Sequence, residues 1–404
     1  MLTRGPDSSS SRSGGRRPRS SRAPFRLPSS PPPTGPSEKP DSSVSAPPCT
    51  ANDQAYFERY SHARIHEQMI KDRVRTETYR EAISRYRDFI AGKVVMDVGT
   101  GTGILAIFCA RVGAKKVYAV EASGIAVQAK EIVRANNLAE KIIVLQQRVE
   151  DVEIGEKVDV IISEWMGYML VYESMLSSVI FARDKWLKRG GLLLPSHATL
   201  YMAPVTHPVK YWECVDFWHN VYGIDMSAML PLARQSSFEE PIVETVTGEV
   251  LTWPFVVKIV DCYTVVAQEL ECISAQYAFS PMMNAPLHGF AFWFDVEFNG
   301  PCILPISQFP PASSPSDLCT DDPIAQRMER ATNGTTVLST GPEEAPTHWE
   351  QTLLYFYSPI EMKKDQRIEG SIKLSQSQEN ARFLNIHLEC SSGSHTLIKE
   401  AVLR

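Results

Sequence analysis

The chain has 404 residues, 43% of them hydrophobic and 22% charged, which allows a substantial core and two or three ordinary domains and excludes a fibrous or wholly disordered protein. No run of 18 apolar residues occurs and the N-terminus lacks the apolar stretch of a secretory signal, so neither a membrane span nor export is expected. The net charge of −6 is uneven: residues 1–50 hold eight Lys/Arg against Asp7, Glu38 and Asp41, a surplus of +5 that leaves −11 for the rest, which favours a cationic partner over nucleic acid.

Residues 1–50 are a Ser/Pro/Arg/Gly mixture with few large apolar groups, predicted to be a disordered tail because it cannot offset its ordering entropy. Its acid-poor start also fits a transit peptide, and Gly14-Gly15-Arg16-Arg17-Pro18-Arg19 a nuclear address. From Tyr56 onward Ile65, Met69, Ile70 and Val74 recur at helical spacing, so one or two helices are expected up to Ile90. Strands and helices then alternate: Val94 to Val98, a helix from Ile104, Val117 to Val120, a helix from Gly124, Ile142 to Leu145, Val158 to Ile162, a helix from Ser174 to Leu187, and a strand from Leu192. That order predicts a doubly wound, Rossmann-like α/β domain over 51–195.

After Pro195 short strand-like runs separated by turn residues take over, among them His288 to Phe298, Leu353 to Tyr357 and Phe383 to Leu388. A mostly β domain over 196–404 is expected, interrupted at about 299–336 by a Pro/Ser-rich, flexible insertion. Tyr211, Cys214, Phe217, Trp218 and Val221 recur at helical spacing, a stripe that is either an interface or internal core. The eight cysteines are scattered with no C-x-x-C pair, so no metal site is expected.

Asp97-Val98-Gly99-Thr100-Gly101-Thr102-Gly103 follows a strand and opens a helix, a glycine turn where backbone approaches a ligand closely. Its third glycine falls one position before the place the dinucleotide fingerprint requires, which weakens an NAD reading. The next strand ends on Glu121, where a carboxylate accepts from both ribose hydroxyls or merely caps a helix. Together the turn and the acid point to S-adenosylmethionine. Val149 and Glu150 follow the third strand; Glu150 is placed either to accept from an adenine amino group or to stay solvated beside Asp151.

Glu164 and Glu173 bracket an apolar and aromatic loop, Trp165 to Tyr172, that holds no other charge. Two carboxylates so placed match a guanidinium, whose rigid fork they can grip while drawing its charge from one terminal nitrogen. The alternative is that one ends a strand and the other caps a helix.

Through V-M-D-V-G-T-G-T-G, V-Y-A-V-E-A-S, S-E-W-M-G-Y-M-L-V-Y-E-S-M-L and T-H-W at 347–349, the chain resembles the type I protein arginine N-methyltransferase family, in the plant-like form of its sixth-numbered branch. The resemblance runs from Tyr56 to the C-terminus, outside the 299–336 insertion. It implies an S-adenosylmethionine-dependent enzyme in which Glu164 and Glu173 hold the substrate arginine, His348 closes the site and Asp72 pairs with His348 to help dispose of a proton. It further places Arg75 on the cofactor carboxylate, His66 and Met69 near the methionine end, and Gly99, Gly101, Glu121, Val149 and Glu150 around the rest of the cofactor. Tyr60, Met175 and Trp349 are implied on the substrate side, and the aromatic segment Tyr56-Phe57-Glu58-Arg59-Tyr60 is implied to fold over bound cofactor.

The methionines at 69 and 175 imply asymmetric dimethylarginine as the end product, and the segment at about 205–235 implies a helical dimerisation arm and hence a homodimer. The resemblance also implies histone tails and Gly/Arg-rich proteins as substrates, in nucleus, cytoplasm or both, while hydropathy and charge argue against a membrane or a direct nucleic-acid partner. Thr100, Gln68 and the insertion depart from the family pattern. Two other readings stand beside this one. A methyltransferase for another acceptor has no need of Glu164 with Glu173, and a non-catalytic, cofactor-binding coactivator would tolerate the loss of one of Glu164, Glu173, Arg75 or His348, all of which are present.

Overall fold

A computed structural model describes residues 48–246, 250–300 and 335–404. The expected tail over 1–50, apart from its last three residues, and the expected insertion over 299–336, apart from its margins, lie outside the described residues. The N-terminal stretch forms four helical segments, more than the periodicity predicts: α1 (Ala51–Arg59), α2 (Ala63–Lys71), α3 (Arg73–Arg85) and α4 (Arg87–Ile90). Caps divide them. The Thr50 hydroxyl accepts from the amide of Asp53 and the Asp53 carboxylate from the amide of Thr50, a reciprocal box that starts α1. Asp72, in extended conformation, ends α2 and caps α3 by accepting from the amide of Arg75.

The α/β unit follows as β1 (Val94–Val98), α5 (Ile104–Arg111), β2 (Lys116–Glu121), α6 (Ala126–Ala135), β3 (Ile142–Gln146), β4 (Val158–Ile162), α7 (Leu176–Trp186) and β5 (Leu187–Leu194). All pairings are parallel, in the order β3-β2-β1-β4-β5. Every residue of the central strand β1 is buried, as a strand covered on both faces must be. The chain builds outward from β1 through β2 to β3, then returns to the other side of β1 for β4 and β5. That reversal leaves a crevice at the carboxyl ends of β1 and β4, where open α/β sheets take ligands.

Two boundaries differ from expectation. The helix expected from Ser174 starts at Leu176, because Glu173 and Ser174 have φ of 71° and 56°, outside the right-handed helical region. The strand expected from Leu192 starts at Leu187, and its register shifts between the pairs Val158–Leu187 and Val160–Leu192. The polar run Lys188-Arg189-Gly190-Gly191 within it carries no hydrophobic alternation to read.

The remainder holds β6 (His197–Val205), α8 (Pro208–Cys214), α9 (Leu230–Phe238), β7 (Ile242–Glu244), β8 (Phe255–Asp261), α10 (Gln268–Glu271), β9 (Cys272–Phe279), β10 (Ala285–Phe298), β11 (Thr336–Ser339), β12 (Gln351–Met362), β13 (Ile368–Gln376), β14 (Leu384–Ser392) and β15 (His395–Leu403). They form two antiparallel sheets, β7-β12-β10-β6-β8 with β11 added to β10, and β15-β14-β13-β9. The rings of Tyr277 and Phe279 on β9 pack against Phe290 on β10 and join the two.

The apolar stripe from Tyr211 to Val221 is not one helix. Helix α8 ends at Cys214, and Asp216–His219 is a separate 3-10 turn. Tyr211 stacks on Phe238 with centroids 4.7 Å apart, and Val221 is also buried. Trp212 and Phe217 within this stripe, and Val209, Tyr222, Ile224 and Leu232 beside it, are apolar groups that face solvent. Among the described residues no helix is long and apolar enough to cross a membrane, and no group of three or more His, Cys, Asp or Glu could hold a metal ion.

Candidate functional site

The glycine turn between β1 and α5 is held by its backbone and by one buried acid. The amides of Gly99 and Thr100 both donate to the carbonyl of Val120 at 2.9 Å. Asp97 Oδ2 accepts from the Thr100 hydroxyl at 2.5 Å and from the amide of Ala106 at 3.1 Å, and burial raises the Asp97 carboxyl to about 7. Gly99 and Gly101 have φ of 72° and 55°. A Cβ at Gly99 would lie 2.2 Å from Met175 Cε, and one at Gly101 would lie 3.1 Å from His66 Nδ1, so the turn is hemmed in where the crevice opens.

Glu121 stands across the turn at the end of β2. Its Oε2 accepts from the amide of Gly101 and its Oε1 from the amide of Ser123, both at 2.8 Å. Each oxygen retains a second lone pair for a ligand hydroxyl. His66 is oriented by a 2.7 Å contact between Nε2 and the carbonyl of Tyr60. Beyond β3, Val149 and Glu150 lie in a buried 3-10 turn. Glu150 accepts from the Ser178 hydroxyl at 2.6 Å and sits 3.4 Å from Arg148 Nε, so it is an enclosed and oriented carboxylate, not a solvated loop acid.

The loop after β4 is tied to the sheet by the Ser163 hydroxyl, which donates to the carbonyl of Val98 at 2.8 Å. Met169, Leu170, Glu173 and Ser174 all take positive φ, an unfavourable set for non-glycine residues that persists only where surroundings over-determine it. At the loop's start Glu164 Oε2 accepts from Arg75 Nε at 3.0 Å, both side chains being 8% exposed. Arg75 Nη1 also donates to the carbonyl of Met69 at 2.8 Å. At its end Glu173 Oε2 accepts from the hydroxyls of Tyr60 and Tyr56 at 2.7 and 3.1 Å. Burial pushes the Glu173 carboxyl above its usual range, and the two tyrosine hydroxyls with nearby Arg59 and Arg382 offset only part of that.

His348 closes one wall. Asp72 Oδ2 receives both the His348 amide at 2.8 Å and its Nδ1 at 2.7 Å. Burial alone would raise the Asp72 carboxyl, but these contacts with His348 and the amide of Arg75 hold it below the ordinary range. The indole of Trp349 donates to the carbonyl of Met166 at 3.0 Å.

One cavity of about 300 Å³ gathers Tyr60, His66, Met69, Arg75, Gly99, Gly101, Glu121, Val149, Glu150, Glu164, Glu173, Met175, His348 and Trp349, a size at the lower end of ordinary ligand sites of about 300–1,000 Å³. Asp72 alone among the site residues named from the sequence does not line it; it stands behind His348, bonded to that ring's Nδ1. The sequence reading did not name Arg382, Ser178, Ser123 or Arg148, which hold Glu173, Glu150 and Glu121. Ser123 is two residues from Glu121 and was within reach of a capping argument, whereas Arg382 lies in a turn with no motif.

A family profile described as the arginine methyltransferase oligomerization subdomain matches residues 196–311 and 326–395, and one described as ribosomal protein L11 methyltransferase matches 77–193. The chain is 62% identical over 367 residues to "Probable protein arginine N-methyltransferase 6" of Arabidopsis thaliana, covering 90% of this chain and 84% of that protein. It is 58% identical over 391 residues to "Probable protein arginine N-methyltransferase 6.1" of Oryza sativa subsp. japonica, covering 96% and 98%. Among solved structures, the Trypanosoma brucei PRMT1 enzyme-prozyme heterotetrameric complex with AdoHcy superposes with a TM-score of 0.71 at 33% identity, covering 86% of this chain and all of that one.

Proposed function

The chain belongs to the protein arginine N-methyltransferase family, and from that premise we propose that it transfers methyl groups from S-adenosylmethionine to guanidino nitrogens of protein arginines in the cavity described above. The observation that carries this reading is the meeting of two glutamates, Glu164 and Glu173, with the glycine turn and Glu121 in one cavity. A methyl-transfer site for an uncharged acceptor needs no such pair.

The residues present fit the cofactor. A Cβ at Gly99 or Gly101 would crowd Met175 or His66, so only glycine lets the turn's backbone come this close to the crevice, and Glu121 keeps lone pairs for the ribose. Arg75 spends Nε and Nη1 on Glu164 and Met69, so its Nη2, without a hydrogen bond among the described residues, would remain to donate to a cofactor carboxylate. S-adenosylmethionine would supply an electrophilic sulfonium methyl; with an arginine nitrogen held in line with it by this cavity, the N–C bond would form as the C–S bond breaks and the sulfur leaves as a neutral thioether. Glu173 and Glu164 hold the guanidinium and stabilise its charge during transfer. His348, fixed by Asp72, lies at the wall to take up the proton that the nitrogen releases.

Met69 and Met175 in the cavity wall support a type I enzyme with asymmetric dimethylarginine as end product. The solvent-facing Trp212, Tyr222 and Ile224, inside the segment matched by the oligomerization profile, support a homodimer. The acidic balance outside the first 50 residues suits cationic substrates such as histone tails and Gly/Arg-rich proteins, in nucleus or cytoplasm. Incubating the protein with S-adenosylmethionine and arginine-rich peptides, then reading peptide mass and fragmentation, tests this. Gains of one and two methyl groups with asymmetric fragmentation are expected. Cofactor binding with no modified arginine would favour the coactivator reading.

Two further results are expected here. Gly99→Ala forces a side chain into a left-handed position and against Met175, so affinity for S-adenosylhomocysteine by titration calorimetry should fall about tenfold, or 1.4 kcal/mol. An unchanged affinity would place the cofactor elsewhere. Glu173 must be ionised to hold a guanidinium, and its raised pKa puts the acid limb of kcat/KM above the ordinary carboxylate range. Tyr60→Phe removes a donor that favours the carboxylate, so the limb moves to still higher pH; a limb that stays in place would show that Glu173 is not the titrating group.

A further inference from the structure

The turn between β13 and β14 belongs to the second antiparallel sheet, yet it reaches the loop that carries Glu173. The amide of Glu173 donates to the carbonyl of Arg382 at 3.0 Å, and Arg382 Nη1 donates to the carbonyl of Glu173 at 2.8 Å. The Ser174 hydroxyl donates to the carbonyl of Ala381 at 2.6 Å. These bonds hold Glu173 in its left-handed conformation, which a non-glycine residue does not keep without support.

The same guanidinium also grips α1. Its Nε and Nη2 donate to Asp53 Oδ1 at 3.1 and 2.6 Å, and its Cζ lies 3.8 Å above the ring of Tyr56. Helix α1 buries none of its residues completely, so it is seated chiefly by polar and ring contacts and sits at the low end of local stability. Tyr56 on α1 and Tyr60 at its C-cap in turn donate to the Glu173 carboxylate. One side chain thus fixes the backbone of Glu173 directly and its carboxylate through α1.

We propose that Arg382 is a positioning residue that couples the seating of α1 to the aim of Glu173, so that the acceptor carboxylate is set only when α1 is docked against the cavity. This rests on the reading of Glu173 as a carboxylate that holds substrate arginine. The role needs a planar fork that donates to two different acceptors while stacking on an aromatic ring, which lysine cannot reproduce. The ring contact and the Asp53 bonds act on α1, and the Nη1 bond acts on the loop, so their loss is felt in both places.

The test uses the full chain with Arg382→Lys and Asp53→Asn, both mild enough to preserve the fold. Hydrogen exchange in residues 51–60 and 168–175 should quicken together in Arg382→Lys, by about tenfold. With an arginine peptide, kcat/KM should fall about tenfold or more, and its acid limb should move to higher pH because Glu173 loses the tyrosine donors. Asp53→Asn should change α1 and the limb in the same directions, less far. Exchange at wild-type rates in both segments overturns the proposal. So does faster exchange in 51–60 alone with kcat/KM and the limb unchanged, which would make Arg382 a strut for α1 only. If the wild-type protein methylates no arginine peptide while the two segments still quicken together, the coupling stands and the acceptor reading of Glu173 falls.

Discussion

Glu173→Gln is expected to lower kcat/KM for an arginine peptide by about 10²–10³-fold, or 2.7–4 kcal/mol, the scale of removing one preorganised electrostatic group from a buried site. The amide keeps the shape and still accepts from Tyr56 and Tyr60, which now hold Glu173 Oε2. What it loses is the charge that draws positive charge off the reacting nitrogen. Folding should not suffer. The fold favours the protonated form of Glu173, so its contribution to stability is complete below the ordinary glutamate pKa and is lost as pH rises through the raised folded value. A neutral isostere removes that loss, and the melting temperature at neutral pH should stay or rise. Single-turnover kinetics and thermal unfolding check both halves; activity within about threefold of wild type, against the 10²-fold expected, would remove Glu173 from the reaction.

Glu164→Gln should reduce turnover as severely but with the opposite effect on the fold. Glu164 is the ionic partner of Arg75, and both side chains are 8% exposed. Removing one charge of a buried pair leaves the other uncompensated, at a cost of about 3 kcal/mol or more. Stability should therefore fall, and Arg75→Met added to Glu164→Gln should restore part of it, since the orphaned cation is then gone. If Glu164→Gln unfolds at the wild-type denaturant midpoint, the Arg75 pair contributes nothing to the fold. The two glutamates look alike in the sequence, and their opposite stability effects separate them.

Much of the α/β unit was legible because its signals are local. Strands β1 and β4 are mostly apolar runs, each with a single aspartate, Asp97 or Asp159, and their bounds coincide with Val94–Val98 and Val158–Ile162. Strand β5 was half lost, since its first residues are polar and held only by pairing with β4. The stripe at 211–221 misled because periodicity cannot show that a helix stops at Cys214. Tyr211 answers to Phe238 and His288, partners that no spacing within the segment reveals.

By itself, the sequence determined the parallel α/β order, the glycine turn and the two acids of the loop after β4, because periodicity and backbone sterics act over a few residues. Only the tertiary structure decided what each carboxylate does before a ligand arrives. Glu164 is ion-paired with Arg75 from 89 positions away, Glu173 is held by Tyr56 from 117 away, and Asp72 orients His348 across 276. Arg382 reaches Asp53 across 329 positions. Ionisation and aim depend on burial and on partners within about 3–4 Å, and chain folding alone brings such distant residues to that range.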